Sequence, residues 1–324
     1  PVFSVNSIIT MIQHFSSLIK PPRLRPGQTV GLVAPAGYPK EAARIDAAVA
    51  RIAALGFVVR PGRFLRARHG YFAGTDAERA ADLNEMFADG EIAGIFTLRG
   101  GYGSSRLLPL LDYAAIRRHP KFLCGYSDIT AILNTITQRT GLVTFHGPIA
   151  DQPFTPYAVA ELEKIAFSPK SPLSLAQPGE TEPPNGVTTL VQGKARGRLV
   201  GGNLTMLTHL LGTPYMPDLG GAILFLEDVH EAVYRIDRLL TQLWLSGRLA
   251  QVAGILFGHF TEGGEAGAVS LDSVLRERCV GLGVPALRGL MIGHIADKAT
   301  LPLGCLVELD ADGQTLTLLE HGVR

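Results

Sequence analysis

Phe122-Leu-Cys-Gly-Tyr-Ser-Asp-Ile-Thr-Ala-Ile-Leu133 changes its apolar period halfway along. Phe122 to Cys124 is an unbroken apolar run, the mark of a short buried strand, and Ile129, Ile132 and Leu133 then recur at helical spacing. Gly125 permits a tight turn between them, which puts Ser127 at a strand-to-helix junction. A serine there can cap the helix. It can also be a nucleophile, its hydroxyl exposed and the free N–H groups of the helix start aimed at whatever it attacks. On these residues alone the cap is the commoner reading.

The same alternation extends outward. Thr29-Val-Gly-Leu-Val, Phe57-Val-Val, Gly94-Ile-Phe-Thr-Leu and Val143-Thr-Phe read as further strands. Helical patterns over 40–55 and 75–88 lie between them, the second opened by a Thr75/Glu78 capping box. Strands alternating with helices predict an α/β fold whose N-terminal part is a doubly wound, mainly parallel sheet of flavodoxin-like kind. Ligands bind such sheets at the carboxyl ends of the strands. Ala34-Pro-Ala-Gly, Arg99-Gly-Gly-Tyr-Gly and Gly125-Tyr-Ser-Asp all fall there, which favours chemistry at Ser127.

A Pro-, Ser- and Gly-rich stretch from about Ser168 to Gly186 reads as a linker. Beyond it lie Leu199-Val-Gly-Gly-Asn-Leu, a buried strand Gly221-Ala-Ile-Leu-Phe-Leu-Glu, a helix over 234–245, a strand Gly254-Ile-Leu-Phe-Gly-His-Phe and a terminal hairpin around Ala-Asp-Gly. This predicts an N-terminal extension (1–22), an N-terminal α/β domain (23–155), a linker (156–190) and a smaller C-terminal mixed β/α domain (191–324).

Across 324 residues the net charge is +1, which gives no electrostatic case for nucleic acid or an anionic membrane. No segment reads as a transmembrane helix or a signal peptide. Three cysteines without C-x-x-C spacing argue against a disulfide scaffold and a structural zinc site and fit a reducing, cytoplasmic compartment. The glycine turns spell neither a P-loop nor a dinucleotide fingerprint, so no cofactor is expected, and no metal-ligand spacing is readable.

A serine nucleophile needs a base, a group that orients the base, and donors for the oxyanion. His146, His209, His259 and His294 are candidate bases. His209 lies in an apolar helical run and reads as a core residue; His294, in a glycine-preceded loop, suits a group that reaches across a cleft. Two acids follow an apolar strand, Glu227 and Asp228, and Glu227 could instead pair with Arg235 or Arg238. Arg99-Gly-Gly-Tyr-Gly offers bare backbone N–H groups, with the Asp128 N–H as a second donor. Arg99 and Arg106 are both near enough in sequence to hold a substrate carboxylate.

With these motifs in place the chain resembles the bacterial LD-carboxypeptidases, the muramoyl-tetrapeptide carboxypeptidase family of serine peptidases. The resemblance rests on Val33-Ala-Pro-Ala-Gly, Leu98-Arg-Gly-Gly-Tyr-Gly, Gly125-Tyr-Ser-Asp-Ile-Thr, Thr144-Phe-His-Gly-Pro, Gly201-Gly-Asn-Leu, Phe225-Leu-Glu-Asp-Val, Tyr234-Arg-Ile-Asp-Arg, and Gly293-His followed by Thr300-Leu-Pro-Leu-Gly, in family order. It implies a triad of Ser127, Glu227 and His294, with the serine on the first domain and the acid and base on the second. It also implies oxyanion donors at Gly101 and Asp128 and substrate contacts at Arg99, Gly100 and Asn203. The implied reaction is release of D-alanine from murein tetrapeptide during cytoplasmic peptidoglycan recycling, by a homodimer. Residues 1–22 have no counterpart, and His230, Val233 and Ile295 depart from the family pattern beside the catalytic loops. A family peptidase of the microcin C self-immunity type, cleaving peptide–nucleotide conjugates, is the alternative. It would need an aromatic platform, and the single tryptophan, Trp244, reads as core. A non-catalytic small-ligand-binding protein is the alternative of another class.

Overall fold

The computed structural model describes residues 18–167, 171–176, 186–261 and 269–324. The first half alternates as the sequence predicts, with α3 as a helix that was not expected: β1 (Thr29–Val33), α1 (Ala43–Ala54), β2 (Val58–Pro61), α2 (Asp76–Ala88), β3 (Ile92–Thr97), α3 (Tyr113–Arg118), β4 (Phe122–Gly125), α4 (Thr130–Thr140) and β5 (Thr144–His146). Its strands pair in parallel in the order β5-β4-β3-β1-β2, the flavodoxin-like arrangement. Both faces of this sheet are covered, so Val30, Leu32, Ile95, Phe96 and Leu123 are fully buried.

The chain continues with α5 (Pro156–Ala166), β6 (Leu173–Leu175), β7 (Thr188–Val191), β8 (Lys194–Asn203), α6 (Leu204–His209), β9 (Ile223–Val229), α7 (Val233–Leu245), β10 (Gly254–Thr261), α8 (Leu271–Leu282), β11 (Ala286–Arg288), β12 (Leu301–Leu303), β13 (Leu306–Asp310) and β14 (Thr315–Leu318). Eight of these strands form a second, mixed sheet in the order β6-β14-β13-β8-β9-β10-β11-β7. Its centre, β8 to β11, is parallel, and antiparallel strands flank it on both sides. β12 leaves this sheet and pairs antiparallel with β5, Leu301 opposite His146, as the sixth strand of the first.

Two stretches carry more structure than their composition suggests. The segment 156–190, read as a linker, holds α5, β6 and β7, because Leu162, Ile165 and Leu175 are apolar enough to bury fully or nearly so. Most of its Pro- and Gly-rich part lies outside the described residues. Residues 1–17 of the expected extension also lie outside them. Residues 18–22 are sewn onto the first layer: the Ile19 N–H donates to Gly141 O at 2.8 Å, and the Val143 N–H donates to Ile19 O at 2.9 Å.

The two sheets are joined through α4 and the end of β8. The Asn134 side chain donates to Gly201 O at 2.8 Å and accepts from the Gly201 N–H at 3.3 Å, and the Asn203 N–H donates to Thr130 Oγ1 at 3.0 Å. Gly202 has φ +135°, and a Cβ there would stand 2.5 Å from Thr130 Oγ1. The Gly201-Gly-Asn motif thus works as a docking surface for the helix behind Ser127. Among the described residues, no helix is long and apolar enough to cross a membrane.

Candidate active site

β4 ends at Gly125, Tyr126 is extended, and Ser127 takes φ +64° before the chain turns into α4. A non-glycine residue in the left-handed region is uncommon and is held there by its surroundings. A helix cap has extended dihedrals instead. Accordingly neither the short turn at 127–129 nor α4 has a side-chain cap, and the cap expectation for Ser127 is overturned. Its hydroxyl lies 3.0 Å from His294 Nε2.

His294 comes from the loop between β11 and β12. Its Nδ1 lies 2.7 Å from Glu227 Oε2, so the ring donates to the carboxylate through Nδ1 and accepts from the serine through Nε2. Glu227, on β9, is fully buried. Burial pushes its carboxyl above the ordinary range; the hydrogen bond from His294 and that residue's charge pull it back, Asp228 raises it, and the Asn203 amide lowers it. The alternative acid, Asp228, is committed elsewhere. It accepts from Asn203 Nδ2 at 2.8 Å, from the Thr205 N–H at 2.9 Å and from the Thr205 hydroxyl at 2.8 Å, which secures the start of α6. Arg235 pairs with Glu231, not with Glu227.

The glycine loop after β3 packs onto the serine. A Cβ on Gly100 would stand 2.8 Å from Ser127 Cβ, 2.9 Å from its Oγ and 3.2 Å from the Asp128 nitrogen. Only a bare backbone fits that close. The Ser104 N–H donates to Asp128 Oδ2 at 2.8 Å, and its hydroxyl donates to Asp128 O, tying the loop to the helix start. Gly101 follows with φ +103°, and Arg99 donates to Tyr38 O at 3.0 Å, with its Nε 4.0 Å from Asp151. Arg106 is held away by a paired contact to Asp76, 2.9 Å from Nε to each carboxylate oxygen. Asn203 caps α6, its Oδ1 accepting from the Met206 N–H at 3.1 Å.

The other histidines are placed differently. His146 is buried behind the site at the end of β5, and burial together with the charges of His294 and Lys298 pulls it down to about 3. His259 lies on β10, beside the loop that carries His294. His209 is exposed on the last turn of α6, not core as expected, because that short helix turns its end to solvent. Trp244 is likewise 48 % exposed, its indole faced by the Arg278 guanidinium, where helical spacing alone suggested core. All three cysteines are buried and free.

One group escaped the sequence reading. Lys298, four positions after His294, is only 5 % exposed, donates to Gln152 Oε1 at 3.0 Å and lies 4.8 Å from the centre of the Tyr126 ring. Its only signal was a lysine in the loop that follows a candidate base, Gly293-His-Ile-Ala-Asp-Lys-Ala-Thr.

Two family models match, described as the LD-carboxypeptidase N-terminal domain over residues 30–147 and the LD-carboxypeptidase C-terminal domain over residues 196–309. A Bacillus subtilis protein named as a probable murein peptide carboxypeptidase is 41 % identical over 315 residues, 95 % of this chain and 97 % of that one. The solved muramoyltetrapeptide carboxypeptidase of Oxalobacter formigenes superposes with a TM-score of 0.79 at 30 % identity, covering 91 % of this chain and 99 % of that one. Wild-type apo MccF, a microcin C7 self-immunity protein whose Escherichia coli sequence is 32 % identical over 292 residues (82 % of this chain, 85 % of that one), superposes at 0.86 over 94 % of this chain and all of that one. With both halves of the sequence matched in order and the whole architecture shared, the chain belongs to the LD-carboxypeptidase family of peptidases.

Proposed function

We propose that this chain is a serine LD-carboxypeptidase that releases the C-terminal D-alanine of murein tetrapeptide. The observation that carries the reading is the unbroken line from Ser127 Oγ to His294 Nε2 at 3.0 Å and from His294 Nδ1 to Glu227 at 2.7 Å. Neutral His294 takes the Ser127 proton as Oγ attacks the scissile carbonyl. The oxyanion is received by the N–H groups of Gly101 and Asp128, a donor of this kind being worth about 3 kcal/mol. His294 then passes the proton to the amine of D-alanine as the C–N bond breaks. Water, deprotonated by His294, hydrolyses the acyl-enzyme and restores Ser127. Buried Glu227 holds the imidazole in the working tautomer throughout. Arg99, beside the oxyanion loop, is the candidate for the substrate carboxylate. The same reading assigns the enzyme to cytoplasmic peptidoglycan recycling as a homodimer.

The test is incubation with murein tetrapeptide and detection of free D-alanine by mass spectrometry, with Ser127→Ala alongside. No D-alanine from the native chain, or unchanged release from Ser127→Ala, sinks the proposal. Cleavage of peptide–nucleotide conjugates is the second reading. The likeness to MccF favours it, as does an exposed aromatic pair at the rim of the oxyanion loop, Tyr71 and Tyr102, with ring centres 5.9 Å apart. A parallel assay with an aminoacyl sulfamoyl adenosine separates the two.

A further inference from the structure

A buried lysine with no acid beside it is costly unless its charge is used. Lys298 has no carboxylate within 4.0 Å among the described residues. It belongs to the His294 loop, yet both of its polar contacts are to the other half of the site: Gln152 Oε1 at 3.0 Å and the Tyr126 hydroxyl at 3.5 Å. Tyr126 donates to the same Gln152 oxygen at 2.7 Å. Its ring also lies 4.7 Å from that of His294, and it directly precedes Ser127. The ammonium therefore closes a bridge from the base's loop to the nucleophile's turn.

From this bridge we infer that Lys298 is a positioning residue for the Glu227–His294 pair, its ammonium holding the His294 loop against the turn that carries Tyr126 and Ser127 and setting a positive charge beside the pair. The inference rests on the proposed triad. The charged and titratable groups around the lysine are Glu227 on β9, His146 on β5, Tyr126 after β4, Asp151 after β5, and His294 and Asp297 on its own loop. Asp151 is already taken by Arg44 at 2.6 Å. Burial lowers the lysine to about 8, and Glu227 and Asp297 are the charges that favour its protonated form. A nearby cation favours carboxylate over carboxylic acid and imidazole over imidazolium. On the carboxylate this extends the charged form toward lower pH. Taking the cation away should raise the pH at which activity is lost on the acid side.

The experiment follows the pH dependence of Ser127 labelling by a fluorophosphonate probe, which needs no natural substrate, and of kcat and KM for D-alanine release. In Lys298→Met the acid limb should move up by at least half a pH unit and kcat should fall about tenfold or more, with KM within twofold. Lys298→Arg should restore the wild-type limb. Gln152→Glu keeps every atom of the lysine but gives it an acid partner; it should move the limb in the same direction, and it carries the test if Lys298→Met does not fold. An unmoved limb in both variants reduces Lys298 to a packing residue and overturns the inference. A KM raised tenfold with kcat intact overturns it too, by assigning the ammonium to the substrate. If wild-type Ser127 takes no label, the nucleophile reading itself falls, and this inference with it.

Discussion

Ser127 sits on a turn whose shape is set by its immediate neighbours and one glycine loop. His294, by contrast, reaches it across 167 positions of sequence and meets Glu227 across 67. The Ser127 side is backbone work: a left-handed serine, a bare Gly100 against its hydroxyl, and a helix start tied down by Ser104. The His294 side is electrostatic work, with a fully buried carboxylate, a buried neutral His146 and a buried lysine around one imidazole. Steric changes should therefore dominate on the first side and charge changes on the second.

Glu227→Gln should break the second side most severely. It keeps the shape but leaves the imidazole without a charged partner to fix its tautomer, and turnover should fall by about 10³ to 10⁴ with the melting temperature nearly unchanged. Loss of the fold instead would mean that Glu227 is structural. On the first side, Gly100→Ala puts a methyl group 2.9 Å from the serine hydroxyl. It should cost roughly a hundredfold in kcat, in line with losing one oxyanion donor, and the crystal structure of the variant should show Ser127 displaced. Arg99→Ala should raise KM about tenfold, the size of one partly exposed charged contact. Arg106→Ala, whose partner is Asp76, should leave KM within twofold; the opposite ranking would exchange their roles. The smallest effect concerns stability. His146 is held near 3 when folded against about 6.5 unfolded. The unfolded chain thus binds the extra proton first as pH falls below about 6.5, and stability declines with acidity by up to about 1.4 kcal/mol per unit. His146→Leu should flatten the slope of melting temperature between pH 6.5 and 5, and an unchanged slope would remove His146 as its source.

The Ser127 side was largely legible because its signals are local. An apolar triplet, a glycine and a resumed helical period located β4, Ser127 and α4, and the alternation around them predicted the parallel sheet. The His294 side was not readable from periodicity. Local grounds set His209 aside and favoured the glycine-preceded loop of His294 without deciding among the histidines or between the two acids, and the ordered motifs, not spacing, singled out Glu227 and His294. Two misplaced side chains share one cause. His209 and Trp244 follow an apolar helical pattern, yet both lie near helix ends that turn to solvent, and period alone does not say where a helix stops being covered. Lys298 was passed over because its partners, Tyr126 and Gln152, are distant in sequence and neither carries an opposite charge.

β12 gives the chain an order of events during synthesis. When β5 leaves the ribosome, the strand that covers its outer edge has not yet been made, since Leu301–Leu303 lies far beyond it in the chain. An uncovered edge is where a nascent sheet pairs with the wrong partner. The same segment follows closely on His294, so the strand that finishes the first sheet is made together with that histidine. A nascent chain therefore holds Ser127 well before the segment that sets His294 beside it and closes the first sheet.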